Sequence, residues 1–260
     1  MKLFSHNAVI KYKNAESYRI GNAEYPASEL TKIDIRWLSG SIEIVADKSN
    51  GQPECDRIFI EESGAAVLPE EKKMRTLCEN GVLKIQFYQS DCKGSVNQNE
   101  KRLKITLPAT NFLSEITIAS ASAAVILSDL SIQKLQIETA SGSAEIKNCT
   151  AKNLSVKTAS GAARLANVAG NAADINAASG NVEVSDFSFS YTEIETASGN
   201  IAIETGDFKK PQNGARILFD TACGKIETKE GYISDRGAYL YGNGARNVAV
   251  STASGLLTIK

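Results

Sequence analysis

Apolar and polar positions alternate along much of this chain, and the alternation recurs at a fixed interval. The stretch "IETASGSAEI" at 137–146 returns as "VKTASGAARL", "INAASGNVEV" and "IETASGNIAI", and later as "FDTACGKIET" and "VSTASGLLTI". The Thr position falls at Thr139, Thr158, Ala177 and Thr196, every 19 residues, with Ser120 one step earlier. Thr221 and Thr252 follow at 25 and 31 residues, so inserts sit between those turns, and "IDIRWLSGSIEI" fits the same template upstream with Trp37 at the Thr position. Two residues before the Thr stand Ile35, Ile118, Ile137, Val156, Ile175, Ile194, Phe219 and Val250. Five after it stand Ile42, Val125, Ala144, Ala163, Val182, Ile201, Ile226 and Leu257. Period two on both sides of the tetrapeptide predicts two strands, each with one face inward.

Identical inward columns at one period predict an all-β, single β-solenoid, β-helix-like, with 19-residue coils. A coil of that length has a contour of roughly 60 Å, enough for a filled cross-section and too little for a channel. Right-handed winding is the default for parallel crossovers. Outward columns carry matched charges: Glu145, Arg164 and Glu183 share one register, and Glu138 and Lys157 another. Opposite charges on neighbouring strands favour such stacking. A second corner is predicted at Asp129, Asn148, Asn167 and Asp186, because Asp and Asn accept turn conformations. Leu130, Cys149, Val168 and Phe187 follow it as inward residues.

The tetrapeptide itself reads as a turn rather than a binding signature. In the ladder Ser141, Gly142, Ser160, Gly161, Ser179, Gly180, Ser198 and Gly199, Ser is expected to bond local backbone and Gly to supply positive φ. The chain divides into a first coil at 31–45, a capping excursion at 46–103, and repeat coils over 104–260 with inserts near 206–216 and 229–247. The excursion holds three strand patterns, "RIFIE", "GVLKIQFYQ" and "RLKITLP", while "PEEKKMRT" reads as a loop or short helix. It is expected to form a β-rich N-terminal cap, joined by residues 1–30, since open edges invite pairing. The last coil ends the sequence with no capping helix, which predicts cover from an insert or a homo-oligomer through the C-terminal coil.

Composition narrows the function classes. Of 260 residues, 42% are hydrophobic and only 7% aromatic, which suits thin regular layers. The net charge of −1 lacks the basic stripe of a nucleic-acid binder. No apolar run is long enough for a signal-peptide core or a membrane span. The expected compartment is therefore the cytoplasm; if an export signal precedes these residues, the protein is expected at the cell surface or secreted. Five cysteines without a CxxC pair argue against a disulfide framework, and Cys55, Cys78 and Cys92 match no zinc spacing. His6, the single histidine, reads as a surface residue. No catalytic motif, cofactor site or metal site is expected.

The order "SGSIEIV" at 39–45, "RLKITLP" at 102–108 and "YGNGARNVAVSTASGLLTI" at 241–259 resembles the bacterial putative-adhesin family of unknown function. The resemblance spans about residues 31 to 260 and implies a repeat β-solenoid with an adhesin-like role. The expected function is a non-catalytic structural or interaction module binding a protein or surface partner. The alternative is a carbohydrate-binding or carbohydrate-cleaving β-helix, favoured if a carboxylate pair faces an open groove without Lys or Arg partners. The best partner surface lies where the period breaks: Phe208, Arg216, Tyr232, Tyr239, Tyr241 and Arg246, amphipathic aromatics beside two "NGAR" turns.

Overall fold

Nearly every stretch with period-two alternation is a strand. The computed structural model describes residues 11–47, 56–64, 67–92, 101–109, 113–204, 214–228, 233–235 and 238–260. They group into two compact units, Met1–Gly142 and Ser143–Lys260. The chain is all-β, with 64% of the described residues in strands.

Unit 1 holds β1 (Arg19–Ile20), β2 (Ala23–Pro26), β3 (Lys32–Trp37), β4 (Ser41–Ala46), β5 (Arg57–Ser63), β6 (Arg75–Glu79), β7 (Val82–Gln86), β8 (Arg102–Leu107), β9 (Glu115–Ser120), β10 (Ala124–Ser128) and β11 (Ser131–Thr139). "PEEKKMRT" contains a single 3-10 turn at Glu70–Lys72. The alternation in β3 and β4 buries Ile33, Ile35, Ile42 and Ile44 completely. Their strands are not at an edge. β3 runs parallel between β7 and β9, and β4 parallel between β8 and β10. Ile35 faces Ile85 on one side and Ile118 on the other; Ile42 faces Leu103 and Val125 likewise. Beyond these, antiparallel strands take over: β6 on β7 and β1 on β6, β5 on β8 and β2 on β5. The stretch between the first repeat and the rest thus supplies one more parallel pair together with antiparallel cover.

Unit 2 holds β12 (Ala144–Thr158), β13 (Ala163–Ala177), β14 (Val182–Thr196), β15 (Ile201–Glu204), β16 (Ala215–Thr221), β17 (Lys225–Thr228), β18 (Ile233–Asp235), β19 (Ala238–Tyr241), β20 (Arg246–Thr252) and β21 (Leu256–Ile259). β12, β13 and β14 pair in parallel with every partner 19 residues on, from Ala144↔Ala163↔Val182 to Thr158↔Ala177↔Thr196. Each bends at Asn148, Asn167 or Asp186, where φ is 52°, 53° and 47°. Asp129 in unit 1 has φ 62°. Asn and Asp tolerate this left-handed backbone better than other L residues, and Asn167 Nδ2 donates to Asn148 Oδ1 at 3.0 Å across the bend. Cys149, Val168 and Phe187 turn inward just after it, each at most 2% exposed.

The stacking order departs from sequence order. β20 lies between β14 and β16, and β21 between β15 and β17. The repeat around Thr252 therefore sits directly on the one around Thr196, and the Thr221 repeat lies beyond it. Burial follows this order: Val248, Val250, Thr252, Leu257 and Ile259 are at most 4% exposed, whereas Phe219, Thr221, Ile226 and Thr228 are only half-buried. The column that ends in Ile259 rather than Thr228 occupies the position with neighbours on both sides, where apolar burial stabilises most. Both edges of β20 and β21 are therefore paired within the chain, so the C-terminal repeat offers no free strand edge for the homo-oligomer expected there. The antiparallel hairpin β18–β19 continues the sheet from β16.

Candidate interaction surfaces

The corner tetrapeptide is built from its Thr and Gly. Thr139, Thr158, Thr196 and Thr252 are buried, as are Ser120 and Ala177 in the same column. Gly142, Gly161, Gly224 and Gly255 each donate their N–H to the Thr Oγ1 three residues back, at 2.7–3.0 Å. The Thr196 hydroxyl lies 3.0 Å from both the Gly199 carbonyl and the Thr252 hydroxyl. Positive φ is not why glycine stands here, contrary to the reading of the turn, since none of these glycines has it. The cause is close approach. A Cβ on Gly180 would sit 1.9 Å from the Gly161 carbonyl oxygen, and one on Gly142 1.9 Å from that of Ala123. A Cβ on Gly199 would lie 2.0 Å from the Gly180 carbonyl oxygen, and one on Gly255 2.1 Å from that of Gly199. Ser141, Ser160, Ser179 and Ser198 point to solvent.

The outward side chains form two grooves in unit 2. The first, about 500 Å3, crosses β12, β13, β14, β15 and the residue after β21. Its charges neutralise one another: Arg164 Nε reaches Glu183 Oε2 at 3.1 Å and Lys147 pairs with Glu145. The second, about 420 Å3, runs along β20. Its floor is small, Ala249 and Ser251. One wall comes from β14, where Glu193 and Glu195 pair with Ala249 and Ser251, with Tyr191 one alternate position before them, just beyond the lining. The opposite wall comes from β16, where Leu218 and Asp220 pair with the same two residues. Tyr191 is 46% and Leu218 41% exposed, large apolar surfaces left in water. Tyr191 Oη donates to Glu193 Oε2 at 3.4 Å, and the carboxylate beside it pushes the phenol's pKa up. Neither Glu195 nor Asp220 pairs with a described Lys or Arg.

The residues expected to form a partner surface divide. Arg216 pairs with Asn247 two residues before Leu218, just beyond the lining of the second groove. Tyr241 is core, 3% exposed, with its hydroxyl 2.9 Å from that of Thr228. Arg246 donates to the Phe187 carbonyl at 3.4 Å, a structural contact. Tyr239 faces Ile217 across β16–β19 and is half-buried. Phe208, Tyr232, His6 and Cys55 lie outside the described residues. No disulfide joins Cys78, Cys92, Cys149 or Cys223.

Unit 1 contains a sealed polar centre with no counterpart in the sequence reading. Lys101, 2% exposed, places Nζ 2.5 Å from Glu62 Oε1 and donates to the Lys72 carbonyl at 2.8 Å and to the Phe87 carbonyl. It lies 4.2 Å from the centroid of the Phe87 ring and 5.0 Å from that of Trp37. Burial pulls its pKa down to about 8, against the opposing pull of Glu62. Glu62 in turn accepts the Met74 N–H on both oxygens at 3.0 Å.

The family model for Toastrack DUF4097 matches residues 30–230. The chain belongs to the Toastrack DUF4097 family. Its fold is that family's β-solenoid-like one. The Toastrack chain is similar in fold to a putative adhesin of Bacteroides fragilis, with TM-score 0.55 and 12% identity over 93% of this chain and 97% of that one. A putative lipid binding protein of Parabacteroides distasonis matches at TM-score 0.47 and 16% identity, over 92% and 96%. A putative adhesin of the same organism matches at TM-score 0.40 and 12% identity, over 93% and 97%. Comparison with curated proteins finds no significant match. Among the described residues of this Toastrack protein, no helix is long and apolar enough to cross a membrane.

Sequence reasoning had missed the groove walls Glu193, Glu195, Leu218 and Asp220, and Tyr191 beside them. Their signal was present in the outward columns: β20 offers Ala249 and Ser251 where its neighbours offer large side chains. It became readable only once the stacking order was known.

Proposed function

We propose that this Toastrack protein is a non-catalytic, adhesin-like interaction module, built on a β-solenoid of 19-residue coils, that engages a protein or surface partner through an outer sheet face. The observation carrying this reading is the second groove. It joins the exposed Leu218, with exposed Tyr191 next to it on β14, to carboxylates that lack cationic partners among the described residues, whereas the charges of the first groove neutralise each other. Side chains of this kind, an aromatic and an aliphatic beside unmatched charge, favour recognition. The 19-residue offset of three consecutive strands supports the solenoid description. The similar fold of a putative adhesin agrees with the role.

One observation favours a second reading, a carbohydrate-binding or carbohydrate-cleaving protein. Glu195 and Asp220 face each other across Ser251 over an open groove, without Lys or Arg partners among the described residues. The deciding experiment is cross-linked affinity capture of the protein at its natural level, with cell fractionation, alongside glycan arrays and polysaccharide hydrolysis assays. A saturable protein partner with blank arrays and assays supports the interaction module. Turnover of any polysaccharide refutes it.

A further inference from the structure

The trough along β20 has a shape that selects its occupant. Its walls stand two strand spacings apart, ~9.6 Å, which excludes an α-helix with side chains, about 10–12 Å across. An extended chain fits. From Ala249 to Ser251 the floor rises ~6.6 Å, the span of alternate side chains in an extended tripeptide. The chemistry adds direction. Glu193 and Glu195 stand two residues apart on one wall, ~6.6 Å, which is the spacing of alternate side chains in any extended peptide. Leu218 faces them from the other wall at the level of Glu193 and Ala249.

We propose that this trough is the docking groove for an extended basic segment of a partner protein, with a basic–apolar–basic alternation; this rests on the interaction-module reading above. The two basic side chains lie against Glu193 and Glu195, and the apolar one between them turns across Ala249 to Leu218. Asp220 adds negative charge at the same end as Glu195, and Arg216, beyond the other end, disfavours further basic residues there. Tyr191 covers the stem of a long cationic side chain, as aromatic rings do. Strand addition is not involved, because both edges of β20 are already paired. Side chains alone give the recognition.

The test is fluorescence anisotropy on the full chain with labelled octapeptides, one carrying a Lys-Leu-Lys core in a Gly/Ser frame and one of equal composition with a Lys-Lys-Leu core. The alternating peptide is expected to bind saturably, to weaken with added salt, and to bind roughly tenfold more weakly to the E193Q/E195Q and A249Y proteins. All three substituted positions are on the outer face, and circular dichroism checks that both variants fold. No binding, equal binding of the shuffled peptide, or no change in either variant overturns the proposal. Chitosan oligomers form a separate arm. If they bind in an Ala249-dependent way and the peptides do not, the occupant is an amino sugar and the peptide assignment fails. A captured partner that binds A249Y as well as wild type removes the groove while leaving the module reading intact. Absence of any partner in the capture experiment removes the module reading itself.

Discussion

Replacing Gly180 by Ala tests the account of the repeated corner. The new Cβ would lie 1.9 Å from the Gly161 carbonyl oxygen and 2.7 Å from its carbon. Both are backbone atoms, so no side chain can swing aside. Reaching ordinary contact needs a separation of more than about 1 Å, since C–C contacts settle at 3.5–4.0 Å. Three hydrogen bonds hold the two repeats together beside that point: Ala178 N–H to Thr158 O at 3.1 Å, Ser179 N–H to Ala159 O at 2.8 Å, and Ala163 N–H to Asn181 O at 2.9 Å. Stretching them past bonding distance forfeits roughly 0.5–1.5 kcal/mol each, so the substitution should cost about 2–4 kcal/mol. Gly21→Ala is the control. Gly21 has φ +75° and a methyl added there would meet nothing within 4 Å, so only left-handed strain of ~1–2 kcal/mol applies. Urea denaturation followed by circular dichroism measures both. If Gly180→Ala costs no more than Gly21→Ala, close approach does not explain the glycine column.

Thr192 is fully buried with its hydroxyl unpartnered, so Thr192→Val should leave the shape intact and raise stability by about 1 kcal/mol; a loss in thermal denaturation would show that the hydroxyl has a hidden role. Lys101→Met strands the buried Glu62 carboxylate and should cost about 3–5 kcal/mol at neutral pH, with Lys101→Met/Glu62→Met recovering most of it. The pH dependence has a definite sign: the folded chain releases the Lys101 proton near pH 8 while the unfolded chain still holds it. Wild-type stability should therefore rise relative to Lys101→Met from about pH 8 to 10, by at most ~1.4 kcal/mol per unit, and a flat difference would refute the lowered pKa. Deleting residues 246–260 should abolish hydrogen-exchange protection at 219–221, which pair with β20 and not with β19, while β12 and β13 keep theirs; persistent protection at 219–221 would contradict the interleaved order.

Much of this architecture was written in spacing. A fixed 19-residue interval identifies the inward columns before any strand is placed, because period two assigns each residue a face. Asp129, Asn148, Asn167 and Asp186 announced the second bend by their own backbone chemistry. The glycine column was located correctly and explained wrongly: a sequence shows that Cβ is missing but not which neighbouring atom needs the room. The order of the last two repeats was hidden because both carry the same tetrapeptide. Their inward columns are nearly as apolar as each other and differ in this respect at Ile259 against Thr228, too little to rank them from sequence. Tyr241 and Arg246 looked like surface because they flank a turn, yet one fills the core and the other holds a carbonyl. Lys101 was illegible, since its carboxylate partner Glu62 and the carbonyls it reaches are set by tertiary contacts.

The placement of β20 and β21 between older neighbours has a consequence for how the protein is made. A ribosome delivers residues 214–228 before residues 246–259, yet the native berth of the earlier segment is defined by the later one. Growth by simple accretion, one rung upon the previous, must stop at β15. From then on the nascent chain carries an exposed apolar edge and a detached rung of similar sequence that fits the same edge in the wrong place. The paired order requires residues 246–252 on β14 before β16 can take its native place on them, so the rung around Thr221 reaches its final neighbours only after the repeat around Thr252 has been made.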